Sequence, residues 1–215
     1  MLGLDPPVLI SRIITLIIAF TLHEFSHAFT ANALGDDTPR LAGRLTLNPF
    51  AHLDLMGTLM LLFAGFGWAK PVPVNPYNLR RKTKAGLMLV SVAGPLSNLI
   101  MAIIAALPLR FGLVSYFNTS ANFLPTFGQF LLEFVVINIT LFLFNLIPLA
   151  PLDGEKVLTF FLPPNLARSF EKIRPYGPII LLMIVFIGPL LNFDIFGMLI
   201  RTPMINLTRF LIGIS

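Results

Sequence analysis

His23, Glu24 and His27 stand in the run His23-Glu24-Phe25-Ser26-His27. On a helix this spacing sets two imidazoles four residues apart on one face, where both can ligate one zinc ion. The glutamate between them is then placed to serve as a general base toward a water in the same site. The run lies inside an apolar stretch from about Val8 to Leu34, long enough to cross a bilayer. Ionisable side chains are costly in hydrocarbon, so three within five positions imply a function. The chemistry indicated is hydrolysis at a zinc centre buried in the membrane.

Such a helix needs neighbours of the same kind, and the composition supplies them. Of 215 residues, 56% are hydrophobic and 12% charged, and the mean hydropathy is +0.84, far from the averages of soluble domains. The length suits one compact bundle of spans. With no cysteine in the chain, disulfide frameworks and thiolate metal sites are excluded. The net charge of +5 does not point to nucleic acid, because the basic residues sit in short loops between apolar runs. The first apolar run is too long for a cleavable signal, lacks a clear small-residue cleavage site, and carries the histidine pair.

Four segments read as spanning helices: about 8–34, 85–109, 127–150 and 176–200. The apolar stretch from Met56 to Ala69 is short and holds Gly57, Gly65 and Gly67, which favours a re-entrant segment. The tail from Thr202 to Ser215 reads as an interfacial stretch or a fifth, partial span. The expected fold is therefore an all-α polytopic bundle of about four to six spans. One domain of 215 residues is expected, with a core at about 8–155 and C-terminal helices beyond it.

The connections 35–84 and 151–175 fall on one side of this arrangement. They hold Arg40, Arg44, Lys70, Arg80, Arg81, Lys82, Lys84, Lys156, Arg168, Lys172 and Arg174. Arg12, Arg110, Arg201 and Arg209 fall on the other. The basic side is the cytoplasmic one by the positive-inside rule.

A catalytic zinc needs a third protein ligand with a fourth position left open. It must come from the cytoplasmic end of another span, near the second half of the first helix. The end of the third span runs Asn145-Leu-Ile-Pro148-Leu-Ala-Pro151-Leu-Asp153-Gly154. Two prolines unwind the helix ahead of Asp153, and the glycine after it permits a sharp turn. Asp153 is the candidate third ligand.

These two motifs together resemble the site-2 protease family of intramembrane zinc metalloproteases. That family pairs HExxH with a distal element whose aspartate completes the metal site. The likeness extends through Gly43–Pro49, His52-Leu-Asp54, Gly67–Pro76 and Ala93-Gly94-Pro-Leu-Ser-Asn98, and covers about residues 20 to 155. It is strongest to small prokaryotic members without PDZ or CBS domains. Glu155 departs from the small residue that many relatives carry after Asp-Gly. The resemblance implies one zinc ion per chain and transmembrane proteins as substrates, cut within their spans. It also implies a membrane-associated β-hairpin around residues 65–76 that binds extended substrate, and an oxyanion-stabilising amide at Asn98. Read without the family, Asn98 fits helix packing beside Gly94 and Ser97 equally well.

His52 reads as an interfacial loop histidine that, with Asp54, supports the site from behind its ligands. Glu133, Asn138 and Asn145 read as interhelical hydrogen-bonding residues of the third span. The catalytic set expected is Glu24 and Asn98, with His23, His27 and Asp153 on the metal, in a multi-pass protein of the prokaryotic cell membrane. Three rival readings share parts of this evidence. They are a membrane metal-ion transporter, a non-catalytic zinc-containing membrane binding protein, and a zinc protease with a downstream glutamate ligand.

Overall fold

The computed structural model describes residues 5–54, 56–57, 67–116, 123–190 and 197–214. Three long helices dominate it: α1 (Pro6–Ala33), α4 (Gly86–Arg110) and α5 (Phe127–Asn145). At 1.5 Å per residue they run about 42, 38 and 29 Å, against a hydrocarbon core of about 30 Å. All three are long and apolar enough to span a membrane. Short helices α2 (Thr38–Leu41) and α3 (Pro76–Lys82) lie in the first connection. After α5 come α6 (Asp153–Phe161), α7 (Pro164–Ile173), α8 (Gly177–Leu182), α9 (Gly188–Leu190) and α10 (Thr202–Ile212).

Helix α4 packs against both α1 and α5. Its contact face is built from Ala102, Ala105, Ala106 and Leu109, which meet Leu131, Val135 and Ile139 of α5 and Ile212 of α10. Small side chains let the backbones approach closely, the main source of cohesion where lipid competes equally for apolar surface. A capping box fixes the start of α5, where Thr126 and Gln129 satisfy each other's backbone N–H groups.

The first three expected spans are present, with one boundary shifted. Helix α5 stops at Asn145 rather than about 150, because the helix cannot continue into Pro148 and Pro151. The expected fourth span is not one regular helix. Its described part runs from α8 through a π turn at Met183–Ile187 into α9, and a second π turn at Gly197–Arg201 leads into α10. The tail does more than lie at an interface. Ile212 joins the α4–α5 core, and the Arg110 side chain donates to the Phe210 carbonyl at 2.6 Å.

The tip of the expected re-entrant or β-hairpin segment, residues 58–66, lies outside the described residues. Its flanks meet in an antiparallel bridge between Leu53 and Ala69, with the Lys70 N–H donating to the His52 carbonyl at 2.8 Å. Arg44, which is buried, donates to the carbonyls of Ala51 and Lys70 and so joins both flanks. Burial lowers the pKa of its guanidinium, and the Glu24 carboxylate acts in the opposite direction.

Candidate metal centre

The second half of α1 carries His23, Glu24 and His27 on a buried face. Helix α6 begins at Asp153 after the unwound stretch that follows α5. The two imidazole Nε2 atoms lie 3.1 Å apart, and each is 3.2 Å from Asp153 Oδ2. Zinc–nitrogen bonds of about 2.05 Å in a tetrahedron set neighbouring donors about 3.3 Å apart. The spacing of the three donors therefore fits one small cation.

The remaining polar atoms of the rings agree with that fit. His23 Nδ1 lies 2.6 Å from Asn98 Oδ1, and His27 Nδ1 lies 2.7 Å from the Val90 carbonyl. Both partners are acceptors, so each Nδ1 carries the proton and each Nε2 presents a lone pair. Two lone pairs and a carboxylate oxygen converging in a buried space call for a cation between them. Among the described residues this is the one group of three His, Asp or Glu side chains that could hold a metal.

Asn98 is fixed at both ends. Its Nδ2 donates to Asn138 Oδ1 at 2.9 Å, and Asn138 Nδ2 in turn donates to the Phe134 carbonyl at 2.9 Å. This relay through α4 and α5 leaves Asn98 Oδ1 facing the imidazole. Asn98 and Asn138 are both fully buried, and neither lines the cavity beside the metal centre. Asn98 Oδ1 accepts from His23 Nδ1, a contact that orients the imidazole. Asn138 was legible as a polar residue in a span, but its partner was not.

Gly94 makes the room. A Cβ there would stand 2.6 Å from His23 Nε2 and from His27 Cε1, in the space where the two rings converge. Gly154 serves a related need, since a Cβ would lie 2.5 Å from the Ile147 carbonyl oxygen. Its role is close approach of α6 to the end of α5, and its backbone is helical rather than a left-handed turn.

A cavity of about 640 Å³ opens beside the metal centre. Glu24, His23, His27 and Asp153 line it together with Leu16 and Phe20 of α1 and Val136, Thr140 and Phe144 of α5. Gly67, Trp68, Ala69, Pro71, Val72 and Val74 form part of another wall. Glu24 is held there by the Val72 N–H, which donates to its Oε2 at 3.1 Å. Lys156 also lines the cavity, with Nζ 3.7 Å from Asp153 Oδ1. It faces the carboxylate oxygen turned away from the histidines.

The other candidates fall elsewhere. His52 is fully buried and its Nε2 donates to the Thr46 carbonyl at 2.8 Å, while Asp54 accepts from the Gly57 N–H at 2.8 Å. Glu155 points away from the metal centre and pairs with Arg174 at 2.8 Å. Glu133 pairs with Arg12 at 3.2 Å across α5 and α1, and both line the cavity. Asn145 lines it too, donating to the Leu141 carbonyl at 3.0 Å.

A buried His-His-Asp cluster beside Glu24, packed among helices long and apolar enough to span a membrane, fits a membrane metallohydrolase, and the comparisons narrow the class. The sequence matches Peptidase family M50 over residues 11–187. The chain belongs to this family, the site-2 proteases, and is a zinc metalloprotease. It is 43% identical over 197 residues to the "Putative zinc metalloprotease YwhC" of Bacillus subtilis, covering 92% of this chain and 86% of that protein. It is 32% identical over 186 residues to the "Putative zinc metalloprotease Rip2" of Mycobacterium tuberculosis strain H37Rv, covering 84% and 68%. The protein of that name from Mycolicibacterium smegmatis is 31% identical over 179 residues, covering 82% and 66%. No solved structure matches the chain.

Proposed function

We propose that this chain is an intramembrane zinc endopeptidase that hydrolyses peptide bonds within or near transmembrane segments of other membrane proteins. The observation that carries the reading is the convergence of His23, His27 and Asp153 beside Glu24 on an apolar-walled cavity between spans. Zinc held by those three residues supplies a Lewis acid for the scissile carbonyl and acidifies water. Glu24 takes the proton from the attacking water and returns it to the leaving amine. The Val72 N–H keeps its carboxylate turned into the cavity, and Asn98 keeps His23 in the ligating tautomer. Lys156 stands 3.7 Å from the Asp153 oxygen that faces away from the histidines and offsets part of the carboxylate's charge.

The substrate span enters this cavity locally unwound, since a closed helix shields its carbonyls from attack. Weak helix formers near the scissile bond are expected in substrates. The active site lies nearer the cytoplasmic face of a prokaryotic cell membrane. Support comes from the basic connection 35–84, which is tied to the C-terminal half of α1 through Val72 and Glu24. Residues 1–215 act as one catalytic domain, a reading supported by the packing of α10 on α4 and α5.

The test compares membrane proteomes of native cells carrying wild-type protein or Glu24→Gln. Single-span proteins or fragments should accumulate in the variant and be cut when purified wild-type enzyme is added, with the variant at least about 10²-fold slower. Identical proteomes under several stresses, with zinc still bound, would contradict proteolysis and favour a transport or binding role.

A further inference from the structure

Helix α7 is built differently from the spans around it. Leu166, Phe170 and Ile173 follow the i, i+4, i+7 spacing and share one stripe, while Asn165, Arg168, Glu171 and Lys172 occupy the opposite side. No residue of α7 is buried. Leu166 and Ile173 are 55% and 47% exposed, and neighbouring Phe161 and Tyr176 are 69% and 62% exposed. The helix packs lightly against α6 and the turn at Arg174–Tyr176. Phe170 is half-buried and, with Ile173, faces Leu149 and Ala150. The apolar surface left open is therefore that of Leu166, the outer side of Ile173, and flanking Phe161 and Tyr176, and it has to be covered by something.

Position and charge indicate what covers it. Helix α7 follows α5 and α6 in the chain and lies within the basic connection 151–175. Its polar face carries Arg168 and Lys172 against a single acid, Glu171, while Arg174 just beyond its end is paired with Glu155. We infer that α7 is an interfacial helix whose partner is the anionic headgroup layer of the cytoplasmic leaflet. The exposed surfaces of Leu166 and Ile173 sink into the acyl boundary, and Arg168 and Lys172 meet lipid phosphates. Arg174 at its end pairs with buried Glu155, two residues beyond Asp153, so the seated helix is linked to the turn that carries the third ligand. The inference requires membrane insertion of the chain and does not depend on its proteolytic activity.

The absence of cysteine makes the test direct. Single cysteines at Leu166, Ile173, Asn165 and Glu171 of the full chain are spin-labelled in nanodiscs of phosphatidylcholine, with or without phosphatidylglycerol. Collisions with oxygen and with a water-soluble nickel chelate are then measured. Labels at 166 and 173 should be oxygen-accessible and nickel-protected, with the reverse at 165 and 171. Phosphatidylglycerol should deepen 166 and 173, and the Arg168→Gln/Lys172→Gln double substitution should abolish that deepening. Nickel access at all four positions would overturn the inference. So would protection of 166 and 173 from both reagents, which would mean a protein partner or a second copy. Equal depth in the two lipid mixtures would overturn the anionic-headgroup assignment.

Discussion

Asn98 shows how much structure a single side chain can tie together. Its amide joins His23 to Asn138 and so links α1, α4 and α5 at one point. Asn98→Ala removes the acceptor that fixes the His23 tautomer, and zinc affinity should fall about 10- to 100-fold in a chelator competition. The HExxH spacing and the Asp153 candidate were legible because each rests on local chain geometry. The Asn98–Asn138 relay was not, since it joins residues 40 positions apart, and either asparagine alone fits ordinary helix packing. Asp36 was equally hidden. It is fully buried, and accepts from the Thr38 hydroxyl at 2.6 Å, the Asn75 N–H at 2.6 Å and the Asn78 amide at 3.1 Å.

Burial acts to raise the Asp36 pKa, but those donors outweigh it and hold the carboxyl below its ordinary value. Its stabilising contribution is therefore complete above the unfolded carboxylate pKa of about 3.9 and is lost as pH falls through the lower folded value. Asp36→Ala should lower stability by about 2–4 kcal/mol at neutral pH, measured by thermal unfolding in detergent. The wild-type advantage should shrink only on strong acidification.

At the scale of elements, the segment Lys70-Pro71-Val72-Pro73-Val74-Asn75-Pro76 acts as a strap. Its prolines remove every second or third N–H, and two of the donors left hold buried carboxylates. Val72 holds Glu24, and Asn75 holds Asp36. Val72→Pro deletes the donor on the general base and leaves the metal ligands alone. Peptide hydrolysis should fall about tenfold at unchanged zinc content, read as a loss in kcat against a substrate span. The proline pattern was visible as a helix break, but the carboxylates it serves lie on the preceding helix and its connection. The ends of α1 and α4 and the start of α5 followed from hydrophobic length, while α5 ends at Asn145, about five residues short of the apolar run, because the prolines act ahead of their own positions. The interrupted course after Tyr176 did not, because π turns leave the apolar run unbroken and differ only in hydrogen-bond register.

For the whole molecule, the arrangement reconciles water-consuming chemistry with an apolar surrounding. Polar ligands are buried at the crossing of α1, α4 and the start of α6, and the cavity beside them is walled mainly by apolar residues of α1 and α5, with the Arg12–Glu133 pair, Thr140 and Asn145 among them. The basic connections, the unwound end of α5 and the strap all gather on the side where the metal centre lies. This gathering was legible from charge asymmetry together with the Asp153 argument, since both assigned the same side. The packing of α10 against α4 was not, because its apolar run is short and holds Arg209.

The central claim is that His23, His27 and Asp153 hold one zinc ion. Its most direct test is the zinc content of purified wild-type protein beside His23→Ala, Asp153→Ala and Glu24→Gln, by mass spectrometry after dialysis. The account predicts about one zinc per chain in wild-type and Glu24→Gln, and near-complete loss in the other two. Full zinc retention in folded Asp153→Ala would contradict it and require another third ligand.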